Sequence, residues 1–168
     1  MDTQATLAIA AEIGIGVAGF SSIAAAVLTR SVRELVETRW VQLRTLLVTS
    51  LAIVLLAYLP MVLGAGSLSD TATWTVASGV YGAWVLFSIS VFLGGFRRLV
   101  GVSGHTRRTA LVTFGLACTS LVLNVLNVAA LQTGWPYLAA LACGMLVTFI
   151  QFVSLVRSLW ESVDGRPG

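Results

Sequence analysis

The chain contains no lysine, a single histidine, two cysteines and three prolines among its 168 residues, and charged side chains make up only 10% of it. Each scarcity removes a class of protein. Hydrophobic residues reach 57%, and so little charge cannot build the polar shell that a small water-soluble domain needs. Cys118 and Cys143 form no C-x-x-C pair and have no histidine at ligand spacing, so neither a structural metal site nor a cofactor is expected, and both thiols read as buried apolar groups. The basic residues are backed by neither an aromatic platform nor a groove, which argues against nucleic acid as a partner. Strict apolar–polar alternation is missing too, which sets aside a membrane β-barrel.

What the chain does have is long apolar runs. Five of them, at 7–28, 45–63, 73–93, 110–131 and 136–156, approach the roughly 20 helical residues that cross a hydrocarbon layer about 30 Å thick. The expected fold is all-α: a polytopic membrane bundle of five helices forming a single domain over 1–168, with connections at 29–44 and 94–109. Trp74 and Trp135 fall at one set of span ends and Trp40 and Trp160 at the other, where indole rings favour the interface. Trp84 is mid-span and is expected between helices. Pro136 suits the first turn of its helix, whereas Pro60 should kink or end the second.

All ten basic residues lie on one alternating side of these runs. Arg30, Arg33, Arg39 and Arg44 follow the first, Arg97, Arg98, Arg107 and Arg108 the third, and Arg157 and Arg166 the fifth. Basic connections stay in the cytoplasm, so the expected orientation has the N-terminus outside and the C-terminus inside. The start, Met1-Asp2-Thr3-Gln4, carries an acid and no base, so the first run is expected to persist as a span. Arginine without lysine, with abundant Ala, Val and Gly, fits a GC-rich bacterial genome and hence a bacterial inner membrane. Arg97, Arg98, Arg107 and Arg108 are expected to meet anionic lipid headgroups.

Two motif matches fail on context. Gly14-Ile-Gly16-Val-Ala-Gly19 fits G-x-G-x-x-G, but the dinucleotide fingerprint requires a preceding strand and further βαβ units. Gly14, Ala18, Ser22 and Ala26 instead form a small-residue ridge of the kind that lets membrane helices approach closely. Gly101-Val-Ser103-Gly104-His105 resembles an intramembrane protease motif, yet a base adjacent in sequence is badly placed to activate the serine. No catalytic cluster follows, and an enzyme is not expected. The first connection lacks turn residues, and Val32, Leu35, Val36 and Trp40 recur at helical spacing opposite the pairs Arg30–Glu34 and Arg33–Glu37. That segment reads as an amphipathic helix, lying on the inner surface or extending the first span. Gly94, Gly95, Gly101 and Gly104 make the second connection an expected mobile loop.

Glu12 is the residue of most interest. It enters the first span by about 7–8 Å, and no arginine lies near that end. An unneutralised acid in hydrocarbon must be protonated, hydrated or ligated. It shares a stripe with Ala8, Gly16, Gly19 and Ile23, which places it on a close-packed or pore-lining face. Thr113, Ser120, Asn124 and Asn127 form a polar stripe on the fourth run, and Thr148 and Gln151 lie a turn apart on the fifth. The expected pathway residues are Glu12, Gly16, Gly19, Asn124, Asn127 and Gln151. They point to a homo-oligomeric channel or small transporter for an inorganic cation or proton, its first helices packed through the small ridge around an axis. The competing expectation is a non-catalytic subunit that docks a partner protein through Val32, Leu35, Val36 and Trp40.

Overall fold

The computed structural model describes the backbone of residues 3–28, 36–96 and 104–163, and the side chains of 5–20, 43–93 and 108–157. Five α-helices account for nearly all of it: α1 (Thr3–Leu28), α2 (Val36–Ala65), α3 (Asp70–Phe96), α4 (Gly104–Leu126) and α5 (Gly134–Val163). A π-helical turn, Asn127–Leu131, continues α4. The stretches Leu43–Ala65, Asp70–Leu93, Arg108–Leu131 and Gly134–Arg157 are long and apolar enough to cross a membrane. In α1 the apolar segment of described side chains is Ala5–Phe20.

Three features refine or correct the sequence reading. The helical half of the first connection belongs to α2, described from Val36, and residues 29–35 lie outside the described backbone. With no glycine or proline between Val36 and Leu59, nothing interrupts the helix there. Of the two outcomes expected at Pro60, a kink or an end, the end does not occur, since α2 continues to Ala65. The second connection is also shorter than expected, because Gly94 and Gly95 continue α3 and Gly104 opens α4; residues 97–103 lie outside the described backbone.

The turns at the opposite end are tight. Gly66 donates to the carbonyls of Val62 and Leu63 at 3.2 Å each, and Ser67 takes the left-handed conformation (φ 67°). The Ser69 hydroxyl then accepts the Ala72 N–H at 3.3 Å, which caps α3 beside Asp70. Between α4 and α5 the chain reverses through Gln132, also left-handed (φ 51°).

Helix α5 contacts all four others, whereas among the described residues α1 touches only α2 and α5. The core is built at their meeting point from Leu7, Ala10 and Ala11 (α1), Ile53, Leu56 and Ala57 (α2), Ala77, Tyr81 and Val85 (α3) and Tyr137, Ala140 and Leu141 (α5). A smaller cluster of Leu43, Leu46 and Leu155, with Val17 and Phe152 against it, closes the arginine-bearing end. The polarity is inverted relative to a water-soluble bundle. Ser50, Ser78, Ser120, Asn124 and Asn127 are buried while Leu55, Val62, Phe87, Val91 and Phe149 face outward. That distribution, with the four long apolar helices, makes this a multi-pass membrane protein.

Candidate functional site

Hydrocarbon offers no hydrogen bonds, so each polar group in the bundle has to find a partner in the protein. Pro60 creates the first demand. It has no N–H, so the Leu56 carbonyl one turn earlier loses its normal intrahelical donor. The Tyr137 hydroxyl of α5 donates to that carbonyl. Tyr137 is completely buried, and its ring packs against Tyr81 and Trp74, each with centroids 5.9 Å away. Trp74 in turn covers Gly134, where a Cβ would sit 3.0 Å from the indole. A helix defect and a distant tyrosine thus form one joint between α2 and α5.

A second joint links α3, α4 and α5. The hydroxyls of Tyr81 and Ser120 both donate to the Ala140 carbonyl, at 3.0 and 3.2 Å. Tyr81 reaches it only because residue 144 is glycine: a Cβ there would collide with the hydroxyl. Asn127 donates through Nδ2 to Ser78 Oγ at 2.7 Å and accepts the Thr133 N–H on Oδ1 at 2.9 Å. Its own carbonyl takes the Gln132 N–H at 2.9 Å, the bond that closes the π turn. Asn124 donates to the Ser120 carbonyl at 2.9 Å, and its Oδ1 is buried without a protein partner. These contacts place Asn127 in an interhelical lock and its side chain faces no open channel.

Glu12 lies elsewhere. On α1, Leu7, Ala10, Ala11 and Gly14 face the bundle, while Ile9, Glu12, Ile13, Gly16 and Gly19 face out. The sequence stripe that grouped Glu12 with Gly16 and Gly19 is therefore present, but on the surface of the single chain and not within its close-packed interior. Glu12 makes no hydrogen bond or ion pair with the described residues. A Cβ at Gly16 or Gly19 would meet no atom within 4 Å. Because α1 touches neither α3 nor α4 among the described residues, Glu12 does not share a path with Asn124 and Asn127 within one chain. Gln151 is half-buried on α5, with its Oε1 enclosed and unpartnered.

The small ridge divides. Gly14 packs inside its own chain, where a Cβ would come within 2.7 Å of Val54 Cγ2 and 3.4 Å of the Ser50 carbonyl. It therefore serves α1–α2 packing, which corrects its expected role between subunits. Ala18 is half-buried, and Ser22 and Ala26 lie in α1 with side chains outside the described set. Arg108 is exposed; the side chain of Arg107 and all of Arg97 and Arg98 fall outside the described residues, as do Val32, Leu35 and the side chains of Val36 and Trp40. The described residues contain no group of three or more His, Cys, Asp or Glu able to hold a metal ion. No family model matches the chain, and no curated protein or solved structure is similar to it.

Proposed function

We propose that this protein assembles in the membrane as a homo-oligomer with α1 at a shared axis, where Glu12 from each copy binds and passes an inorganic cation or a proton. The observation that carries this reading is the two-sidedness of α1. One face is used by the chain's own core, and the other presents Glu12 with open space at Gly16 and Gly19. An acid inside a lone membrane helix is costly, up to about 2.5–3.5 kcal/mol at the helix centre on insertion scales. A ring of carboxyls around a hydrated axis removes that cost and attracts cations, and the two glycines let neighbouring helices come close. The arginine end, with Arg44, Arg108 and Arg157, would face the cytoplasm. Asn124 and Asn127 belong to packing in this reading, so conduction runs between chains.

A second reading rests on the helical segment Val36–Gln42, which projects from α2 beyond the apolar stretch Leu43–Ala65. Such an extension would suit a subunit that docks a cytoplasmic partner. Flux separates the two. Purified wild type in liposomes should pass cations or protons, and Glu12→Gln should reduce that flux at least tenfold while oligomer size in lipid is unchanged. Absence of wild-type flux over a range of pH and voltage, or a monomer in lipid, overturns the conduction reading.

A further inference from the structure

Ser50, Thr148 and Gln151 form a polar level within an otherwise apolar seam. The buried stripe of α2 runs through Leu43, Leu46, Ser50, Ile53, Leu56 and Ala57, and that of α5 through Tyr137, Ala140, Leu141, Thr148 and Leu155. The two helices run antiparallel in a definite register. Tyr137 bonds Leu56, Ile53 Cδ1 lies 3.8 Å from a Cβ position on Gly144, and Leu46 and Leu43 cluster with Leu155. Ser50, between Ile53 and Leu46, is therefore level with the stretch of α5 between Gly144 and Leu155, and its backbone carbonyl also lies beside Gly14 of α1. Thr148 and Gln151 occupy it.

Hydrogen bonding at this level is incomplete. Thr49, Thr75, Ser88, Ser90 and Thr119 each donate to the carbonyl four residues earlier, the usual way a helical hydroxyl is satisfied in an apolar medium. Ser50 makes no such bond. Its hydroxyl has no protein partner, although the residue is 0% exposed. Across the seam, Gln151 Oε1 is enclosed and equally unpartnered. Thr148 donates to the Gly144 carbonyl at 3.0 Å, which leaves its oxygen free to accept.

We infer that the α2–α5 seam binds one water molecule, accepting from Ser50 and donating to Gln151 Oε1 and Thr148 Oγ1. That gives the water three hydrogen bonds, the usual number for a buried site. Three neutral groups, one of them free to donate, suit water and do not suit a cation, which would bring an uncompensated charge into a low-dielectric interior. The site lies on the face of α2 that packs against α5 and does not depend on the conduction reading.

Magnetic resonance of the deuterated full chain in micelles tests it. Water cross-peaks are expected at the Gln151 side-chain amide and at the Thr148 backbone amide. Ser50→Val should fill the site and abolish both, and Gln151→Leu should abolish the one at Thr148. No cross-peak in wild type, or persistence in both variants, overturns the proposal. Ser50→Ala and Gln151→Leu should each lower the folding equilibrium constant about fivefold, and the double variant no more than either alone. Independent gains in stability from each substitution would mean two orphaned groups without a shared ligand. Coupling without a water signal would mean a direct Ser50–Gln151 bond. Either result overturns the proposal.

Discussion

The interior of α3–α5 and the outward face of α1 treat polar groups in opposite ways. In the first, Tyr81, Ser120 and Asn127 bond across helices. In the second, Glu12 stands among Ile9, Ile13, Gly16 and Gly19 without a partner among the described residues. Membrane interiors penalise both arrangements unless hydrogen bonds are made. Most polar groups of the α3–α5 interior are satisfied within one chain, with Asn124 Oδ1 an exception, whereas the outward face of α1 offers Glu12 no partner among the described residues.

The largest expected effect breaks the bonded side of this contrast. Asn127→Leu removes the bond to Ser78 and leaves the Thr133 N–H without its acceptor at the mouth of the π turn. Loss of one buried and one part-buried bond, the latter leaving its donor orphaned, should cost about 2–3 kcal/mol. Reversible unfolding in mixed micelles measures it. Ser78→Ala is the sharper variant, because it removes the acceptor of Asn127 Nδ2 and leaves Asn127 Oδ1 on the Thr133 N–H. A loss as large as that of leucine would place the weight on Ser78 and not on the turn.

A smaller effect isolates the α2–α5 joint. Tyr137→Phe leaves the Leu56 carbonyl unsatisfied and should cost about 1–1.5 kcal/mol. In the background Pro60→Ala the alanine N–H returns to that carbonyl, so the same substitution should then cost less than half as much. Equal costs in both backgrounds would show that the hydroxyl acts through something other than the gap left by proline.

Much of this was legible in the sequence and the remainder has physical reasons for being hidden. The apolar runs at 73–93 and 136–156 fall within α3 and α5, because twenty apolar residues have few alternatives to a helix in a membrane. Pro60 was visible as a disturbance of α2, but its remedy lies 77 positions away in Tyr137, a pairing no local pattern contains. Helical spacing put Asn124 and Asn127 on one stripe, but it could not show that this stripe turns toward α3 and α5 and meets no part of α1 among the described residues. For α1 the ambiguity was sharper. Leu7, Ala10, Ala11 and Gly14 form a face about as small and apolar as Ile9, Ile13, Gly16 and Gly19. Periodicity could group Glu12 correctly with Gly16 and Gly19 without saying which face the bundle would take.

Those two glycine-bearing faces give the finest comparison. A helical glycine replaced by alanine gains roughly 0.5–1 kcal/mol when the methyl group has room. At Gly14 it has none, with Val54 Cγ2 at 2.7 Å, and the β-branched valine cannot swing aside cheaply. Gly14→Ala should therefore lose about 1 kcal/mol of stability net. At Gly16 nothing lies within 4 Å, so Gly16→Ala should leave a single chain slightly more stable. If copies meet across that face, the same methyl group separates their helices, and Gly16→Ala should weaken oligomers in lipid while Gly14→Ala lowers stability without changing subunit number. Sedimentation in a density-matched detergent reads the subunit number, and thermal unfolding reads the stability. Unchanged assembly in Gly16→Ala and in the bulkier Gly16→Ile would show that this face of α1 meets lipid alone, and the carboxyl of Glu12 would then have to be explained within one chain.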